Sequence, residues 1–376
     1  MTTSYDVIIV GGGVIGSSIA FHLAKKKRKV LLVEKDRIGC EASSAAAGML
    51  GAQAEITEAG PLYDMAQTSR SLFPAISEEL KECSGIDIHL VRKGLLKVAR
   101  SEDEGNELKR LISFYQKQGQ RAEWLSIEEL IEKEPNLSRD LAGAMYLPDD
   151  GHVLAPELTF AFARAASILG VCLREYTTTT GVIIQNDRII GIETNVGNFY
   201  SDTVVVTSGV WSGMLLQQTG LHLPLYPVKG ECFSLLYSAS PITATVISEG
   251  CYIVPKQRGR LIVGATMAEG QYDKKVTLKG IRDLLTISET ILPNIVEGEW
   301  EKAWAGLRPQ TPDGLPYMGK HPEIEGLFIA AGHFRNGILL SPITGRWMTE
   351  LIEGERQEET LQPFRVDRYS KTLITR

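Results

Sequence analysis

Gly11, Gly13 and Gly16 constrain this chain more than any other residues, because of what surrounds them. They follow an apolar run at 5–10 and open an amphipathic segment at 14–26, where apolar Ile15, Ile19 and Leu23 recur at helical spacing. A second apolar run, 30–33, ends at Glu34, 23 positions after Gly11. An isolated G-x-G-x-x-G is weak evidence, but here strand, glycine turn, helix, second strand and terminal acid stand in the order a dinucleotide fold requires. Gly11 permits the tight turn, Gly13 lets backbone amides approach a pyrophosphate, and Gly16 lets the helix pack close to the sheet. The helix start at Val14 and Ile15 offers unpaired amides and positive potential to phosphates, and Glu34 can accept from ribose hydroxyls. The motif does not decide between NAD and FAD.

Composition removes several alternatives. The 376 residues suit two or three compact units, and 43% hydrophobic with 23% charged residues is ordinary globular usage. Forty basic against 46 acidic residues give a net charge of -6, with no basic block suited to nucleic acid or an anionic membrane. The five cysteines (Cys40, Cys83, Cys172, Cys232, Cys251) are widely spaced, with no CxxC pair or zinc-type histidine cluster, so no metal is expected and a reducing cytoplasm is. The uncharged stretches 7–24 and 203–228 are broken by glycines and prolines and do not read as membrane spans, and the amino end lacks the basic start and cleavage site of a signal peptide.

The remaining pattern is mixed. Helices are expected at 102–118, 127–133, 156–169, 276–292 and from about Asn336 to Leu351, and strands at 94–99, 171–175, 181–184, 189–193, 203–207 and 327–331, with further β-type runs within 235–264. Asn186-Asp187 marks a hairpin turn. No repeat, linker or composition shift marks a boundary, so a two-domain arrangement has to be interleaved. The segment 42–51 (ASSAAAGMLG) is too small-sided for a core helix and would let backbone pass close to an extended ligand; a surface loop is the plainer alternative.

The carboxyl end carries a family likeness. Trp304-Ala305-Gly306-Leu307-Arg308-Pro309 with Thr311-Pro312-Asp313-Gly314, then Gly332-His333-Phe334-Arg335-Asn336-Gly337-Ile338, resembles the FAD-dependent D-amino-acid oxidase family, and within it the bacterial glycine oxidases of thiamine biosynthesis. The resemblance spans nearly the whole chain, including SSAAAGMLGA at 43–52, PVKGE at 227–231, CYIVP at 251–255 and VGATM at 263–267. It implies an α/β, doubly wound, Rossmann-like FAD domain (1–85, 141–220, 300–376) interleaved with an α+β substrate domain built on a large antiparallel sheet (86–140, 221–299). It implies noncovalent FAD contacts at Gly11, Gly13, Val14, Ile15, Gly16, Glu34, Lys35, Ala42, Ser43, Ala47, Gly48, Met49 and Thr180, and along His333, Phe334, Arg335, Asn336, Gly337, Ile338 and Leu339. Independently of the likeness, a helix starting near Asn336 would turn free amides toward a flavin edge where negative charge accumulates on reduction.

For the substrate, a guanidinium is the side chain whose fork matches a carboxylate, which makes Arg308 the candidate; an ordinary structural arginine is the alternative on residue chemistry alone. The resemblance adds the Tyr252 hydroxyl to the same carboxylate, Arg335 as a second arginine at the site, and Met49 and Met267 as apolar walls. Without it Tyr252 and both methionines would be core residues and Arg335 a partner in a local ion pair. Gly250, where relatives can carry histidine, implies a roomier pocket. The activity so implied is oxidation of glycine, with sarcosine and small D-amino acids, by hydride transfer to flavin N5 and reoxidation by dioxygen, with no protein base. The relatives also imply a homotetramer and a partner in thiazole synthesis. A sarcosine oxidase, a quinone-linked dehydrogenase and a redox-idle scaffold are the competing readings; the first is disfavoured by the lack of any cysteine after Cys251, the second by the lack of a basic amphipathic anchor.

Overall fold

In the computed structural model, which describes residues 4–369, a six-stranded sheet runs in the order Tyr317–Lys320, Leu327–Ala331, Val204–Val206, Val7–Val10, Val30–Val33, Cys172–Arg174. All neighbours are parallel except Tyr317–Lys320, which lies antiparallel at one edge. The reason these strands are near-continuous runs of Val, Ile and Leu is that both faces are covered. Val7, Ile9, Val30, Leu32 and Val205 face the helices Val14–Lys25, Pro61–Ser84, Ala155–Ile168 and Gly337–Ile352. Ile8, Val10, Leu31, Val33, Val204 and Val206 face Val182, Ile189 and Ile192 of a three-stranded antiparallel sheet. That small sheet turns at Asn186 and Asp187, whose φ of 52° and 58° are what a two-residue hairpin loop needs.

The first strand, Val7–Val10, lies inside the six-stranded sheet, with Val30–Val33 on one side and Val204–Val206 on the other. Chain direction diverges there, and the crevice beyond the carboxyl ends of these strands is where a doubly wound sheet binds its ligand.

The other large sheet has nine strands, ordered Ala268–Glu269, Tyr226–Leu236, Arg260–Gly264, Cys251–Pro255, Thr245–Ser248, Leu95–Ala99, Gly143–Leu147, Glu123–Leu125, with Glu299–Gln310 also paired to Tyr226–Leu236. The amphipathic helix Leu278–Ile291 buries Leu284 and Ile291 among Phe233, Ile253 and Val263 on one face. The helix ends follow local chemistry: Ser101 caps Glu102–Lys117, and Ser126 and Glu129 form a reciprocal capping box at Ile127–Lys133. Two strands, Gly143–Leu147 and Glu299–Gln310, fall in stretches expected with the nucleotide-binding part, yet they hydrogen-bond in this nine-stranded sheet. No described helix is long and apolar enough to cross a membrane.

Candidate active site

A cavity of about 470 Å³ runs from the glycine turn to the face of the nine-stranded sheet. At its first end the chain offers backbone. Gly11 has φ +112°, and a Cβ there would stand 2.6 Å from the Thr207 carbonyl oxygen; a Cβ on Gly16 would overlap the Gly11 carbonyl. Both positions therefore accept only glycine, and Gly16 acts in helix packing rather than on the cavity wall. Gly13 caps the Val14–Lys25 helix without any side-chain cap, so most of its first amides stay available to a ligand. The Val14 amide donates to Ser43 Oγ at 2.9 Å.

Glu34 accepts from the Gly12 amide at 2.7 Å and from the Asp36 amide at 3.1 Å. Burial raises its pKa, and these two bonds oppose the shift. Lys35 pairs with Glu41 at 3.0 Å and lies 3.6 Å over the Trp211 ring. Beyond them Thr179 presents a buried hydroxyl without a partner beside Thr180, both on the cavity wall. Unpaired amides, an acid aimed at the glycine turn and an orphaned hydroxyl along one elongated cavity fit an extended adenine dinucleotide.

The small-residue segment has a packing reason of its own. After a single turn at Ala42–Ala45, it lies against the Glu299–Gln310 strand: a Cβ on Gly306 would meet the Ala45 methyl at 2.5 Å, and Trp304 Nε1 donates to the Ala45 carbonyl at 3.0 Å. On its other side Gly48 presses on the Val153 carbonyl, where no Cβ fits. The segment thus brings Ala42, Ser43, Ala47, Gly48 and Met49 to the wall.

At the far end, side chains replace backbone. Arg308 lines the cavity, its guanidinium lying over Gly230 so closely that no Cβ could be placed there. Nη1 donates to the Thr266 carbonyl at 3.2 Å, and among the described residues no carboxylate pairs with this guanidinium. Tyr252, 8% exposed, points its hydroxyl into the same space, 3.3 Å from Cys232 Sγ. Burial holds the Tyr252 phenol well above its usual range, so it enters as a neutral donor.

Arg335 reaches the wall but is held by Glu55, Nη2 to Oε1 at 2.6 Å, which is the ion-pair alternative of the sequence reading. Met49 lines the cavity. Met267 was expected as a second wall; it is instead 56% exposed, outside the lining, with its sulfur 4.0 Å from Arg335 Nη1. Gly250 also lies off the lining, in the turn joining Thr245–Ser248 to Cys251–Pro255 with φ +77°. The Gly337–Ile352 helix, capped by Asn336 without a side-chain bond, turns its start toward the cavity, and 333–338 all line it. Leu339 faces away, 1% exposed, its carbonyl accepting from Ser69. His333 is buried with Nε2 3.1 Å from Thr344 Oγ1, and burial lowers its pKa to about 3, so it is neutral.

The sequence model for FAD dependent oxidoreductases of the DAO type matches residues 6–351. The chain belongs to that family. Its relatives include glycine oxidase of Geobacillus kaustophilus, 47% identical over 98% of each chain, and glycine oxidase of Bacillus subtilis, 41% identical over the full length of both. The crystal structure of the G. kaustophilus enzyme superposes with a TM-score of 0.95, covering 98% of this chain and 100% of that one. A third relative, the bifunctional protein ThiO/ThiG of Synechocystis, is 33% identical over 99% of this chain and 55% of its own length. As a family member the chain is an FAD-dependent amino-acid oxidase, and the cradle described above suits that cofactor.

Several residues of the site escaped sequence reasoning. Gly230 and Gly264 sat inside recognised motifs without an assigned task, and their task is to leave room for Arg308 and Tyr252. Cys232 was counted only as a cysteine, and Glu55 carried no local signal at all.

Proposed function

We propose that this chain oxidatively deaminates glycine, and with lower preference sarcosine and small D-amino acids, giving glyoxylate, ammonia and hydrogen peroxide. The observation that carries this reading is Arg308: a guanidinium free of carboxylate partners among the described residues, in the chamber that continues from the dinucleotide cradle. A half-buried cation without an acidic partner suits an anionic ligand, and a carboxylate matches its fork.

FAD, held noncovalently when bound, supplies the two-electron acceptor for the substrate's α-C–H bond and passes the electrons on to dioxygen. The protein's part is placement. Arg308 takes the carboxylate, the neutral Tyr252 hydroxyl donates to the same group, and Met49 closes the apolar side, so that a small α-carbon faces the cofactor. The start of the Gly337–Ile352 helix sets positive potential at the cavity's edge, where it stabilises negative charge developing during reduction.

No base is assigned among the described residues. Glu34 is bound to backbone amides at the far end, Glu55 is paired with Arg335, and His333 faces Thr344. The substrate amine must therefore arrive neutral, losing its proton to solvent. We place the residues named for FAD in the roles the resemblance implies, except that Gly16 and Leu339 act through packing. We also propose division into a nucleotide part and a substrate part along the two large sheets, a cytoplasmic homotetramer, and delivery of product to a thiazole-forming partner, a link that the ThiO/ThiG relative supports.

Anaerobic addition of glycine to the yellow protein tests the reading: the flavin absorption should bleach, and air should restore it with release of peroxide. A protein that bleaches but needs an artificial acceptor to recover is a dehydrogenase; one that does not bleach with any small amino acid is not an oxidase of this class.

A further inference from the structure

Tyr252, Gly264 and Cys232 form one row across three adjacent strands. Gly264 on Arg260–Gly264 is the register partner of Tyr252 on Cys251–Pro255 and of Cys232 on Tyr226–Leu236. Side chains in such a row project from the same face of the sheet. Ordinarily the middle residue would keep the outer two apart. Here it is glycine, and a Cβ in its place would stand 2.5 Å from Tyr252 Oη and 2.7 Å from Cys232 Sγ. The gap lets phenol and thiol meet at 3.3 Å on the cavity wall.

A phenol has one proton and two lone pairs. If that proton is given to a substrate carboxylate, the oxygen needs a donor behind it, or the hydroxyl is free to rotate away. Among the described residues Cys232 is the hydrogen-bond partner of Tyr252 Oη. Burial raises the pKa of the thiol, opposed by Tyr252 and by the charge of Arg308, so it keeps the proton it would donate.

We propose that Cys232 is a positioning residue for substrate recognition: its S–H donates to Tyr252 Oη and thereby aims the phenolic O–H at the substrate carboxylate beside Arg308. This rests on the carboxylate role proposed for Tyr252 and adds the group that makes the phenol a directed donor. The thiol does not touch the reacting atoms and forms no covalent bond. Its contribution belongs to substrate binding, so it should appear in KM and in the affinity of carboxylate inhibitors rather than in kcat.

The test uses the FAD-loaded enzyme, with glycolate binding read from the flavin spectrum and glycine turnover read from peroxide. Removing one weak hydrogen bond, worth about 1 kcal/mol or less, corresponds to about a three- to fivefold change. Cys232→Ala should raise the glycolate Kd and the glycine KM by that factor, with kcat within about twofold of the parent. Cys232→Ser, which keeps a donor, should recover most of the loss. In a Tyr252→Phe background, Cys232→Ala should have no further effect on glycolate binding, because the atom it orients is gone. Equal effects with and without the Tyr252 hydroxyl would mean that the thiol acts by packing alone and would overturn the proposal. So would an unchanged Kd in Cys232→Ala with the flavin spectrum intact. If the parent enzyme binds no glycolate and is not reduced by glycine, the carboxylate reading fails, and this inference fails with it.

Discussion

At the end of the cavity between Val7–Val10 and Val14–Lys25, the groups offered to a ligand are mostly backbone amides, shaped by Gly11, Gly13 and Gly16 within a few residues of one another. At the end beneath the nine-stranded sheet they are the tips of Tyr252 and Arg308, carried by strands that meet only through the intervening Tyr226–Leu236 and Arg260–Gly264 strands. The first end depends on conformation, and almost any substitution that respects backbone geometry leaves it intact. The second depends on single functional groups, and can be retuned without disturbing the cofactor. The two ends should therefore fail in different ways.

The most general loss, that of the cofactor itself, is expected at the first end. Gly16→Val drives a side chain into the Gly11 carbonyl and should reduce FAD retention by more than about tenfold, measured as flavin per protein after gel filtration. A variant that keeps its flavin and merely loses glycine affinity would break the distinction. At the second end Tyr252→Phe removes one donor and should raise the glycine KM about tenfold while flavin content stays at the parent level. Joint loss of flavin would show that the two ends are not separable.

A third test concerns stability. His152 and His333 are buried and His22 is half-buried between helices, and desolvation lowers the pKa values of His22, His152 and His333 to about 4, about 2 and about 3. In the unfolded chain they would take up protons near pH 6.5 while the folded chain does not. Their stabilising effect is thus complete above pH 6.5 and is lost as pH falls toward 4, by up to about 1.4 kcal/mol per pH unit for each. Asp150 is shifted the other way by burial, to about 6, so the folded state gains a proton there and offsets one of the three. Melting temperatures between pH 7 and 4.5 should fall steeply, and His333→Gln should flatten the curve; a Tm independent of pH over this range would contradict the burial of these rings. The smallest effect is expected at Gly250→His, which lies in a turn off the lining. It should change relative activity on glycine, sarcosine and D-alanine by less than about twofold and cost about 1 kcal/mol through its positive φ.

The contrast also explains how much could be read from the chain beforehand. The nucleotide end is local, so strand, turn, helix and Glu34 were visible as a pattern, and strands such as Leu327–Ala331 and helices such as Ile127–Lys133 lie where the apolar and charge patterns put them. The Pro61–Ser84 helix was not anticipated, because Pro74 in its interior masks a pattern whose ends, Pro61 and left-handed Gly85, are ordinary helix signals. Gly143–Leu147 and Glu299–Gln310 were missed as strands of the larger sheet, since their pairing is set by distant partners. At the other end Arg308 could be named from the chemistry of a guanidinium and Tyr252 through family likeness, whereas Gly230, Gly264, Cys232 and Glu55 acquire meaning only from cross-strand register and tertiary contact. Met267 shows the converse: an apolar residue in a recognised motif, left on the outside by the irregular link between Arg260–Gly264 and Ala268–Glu269.

The most direct measurement is glycine turnover and glycolate binding by Arg308→Ala and Arg308→Lys, each loaded with FAD. Truncating one partner of a hydrogen-bonded charge pair enclosed by a bound ligand costs about 2–5 kcal/mol, so Arg308→Ala should weaken both by about a hundredfold with the flavin still bound, and Arg308→Lys, which keeps charge but not the fork, should recover only part. Parent-like KM and Kd values in Arg308→Ala would contradict the assignment of the substrate carboxylate to this guanidinium.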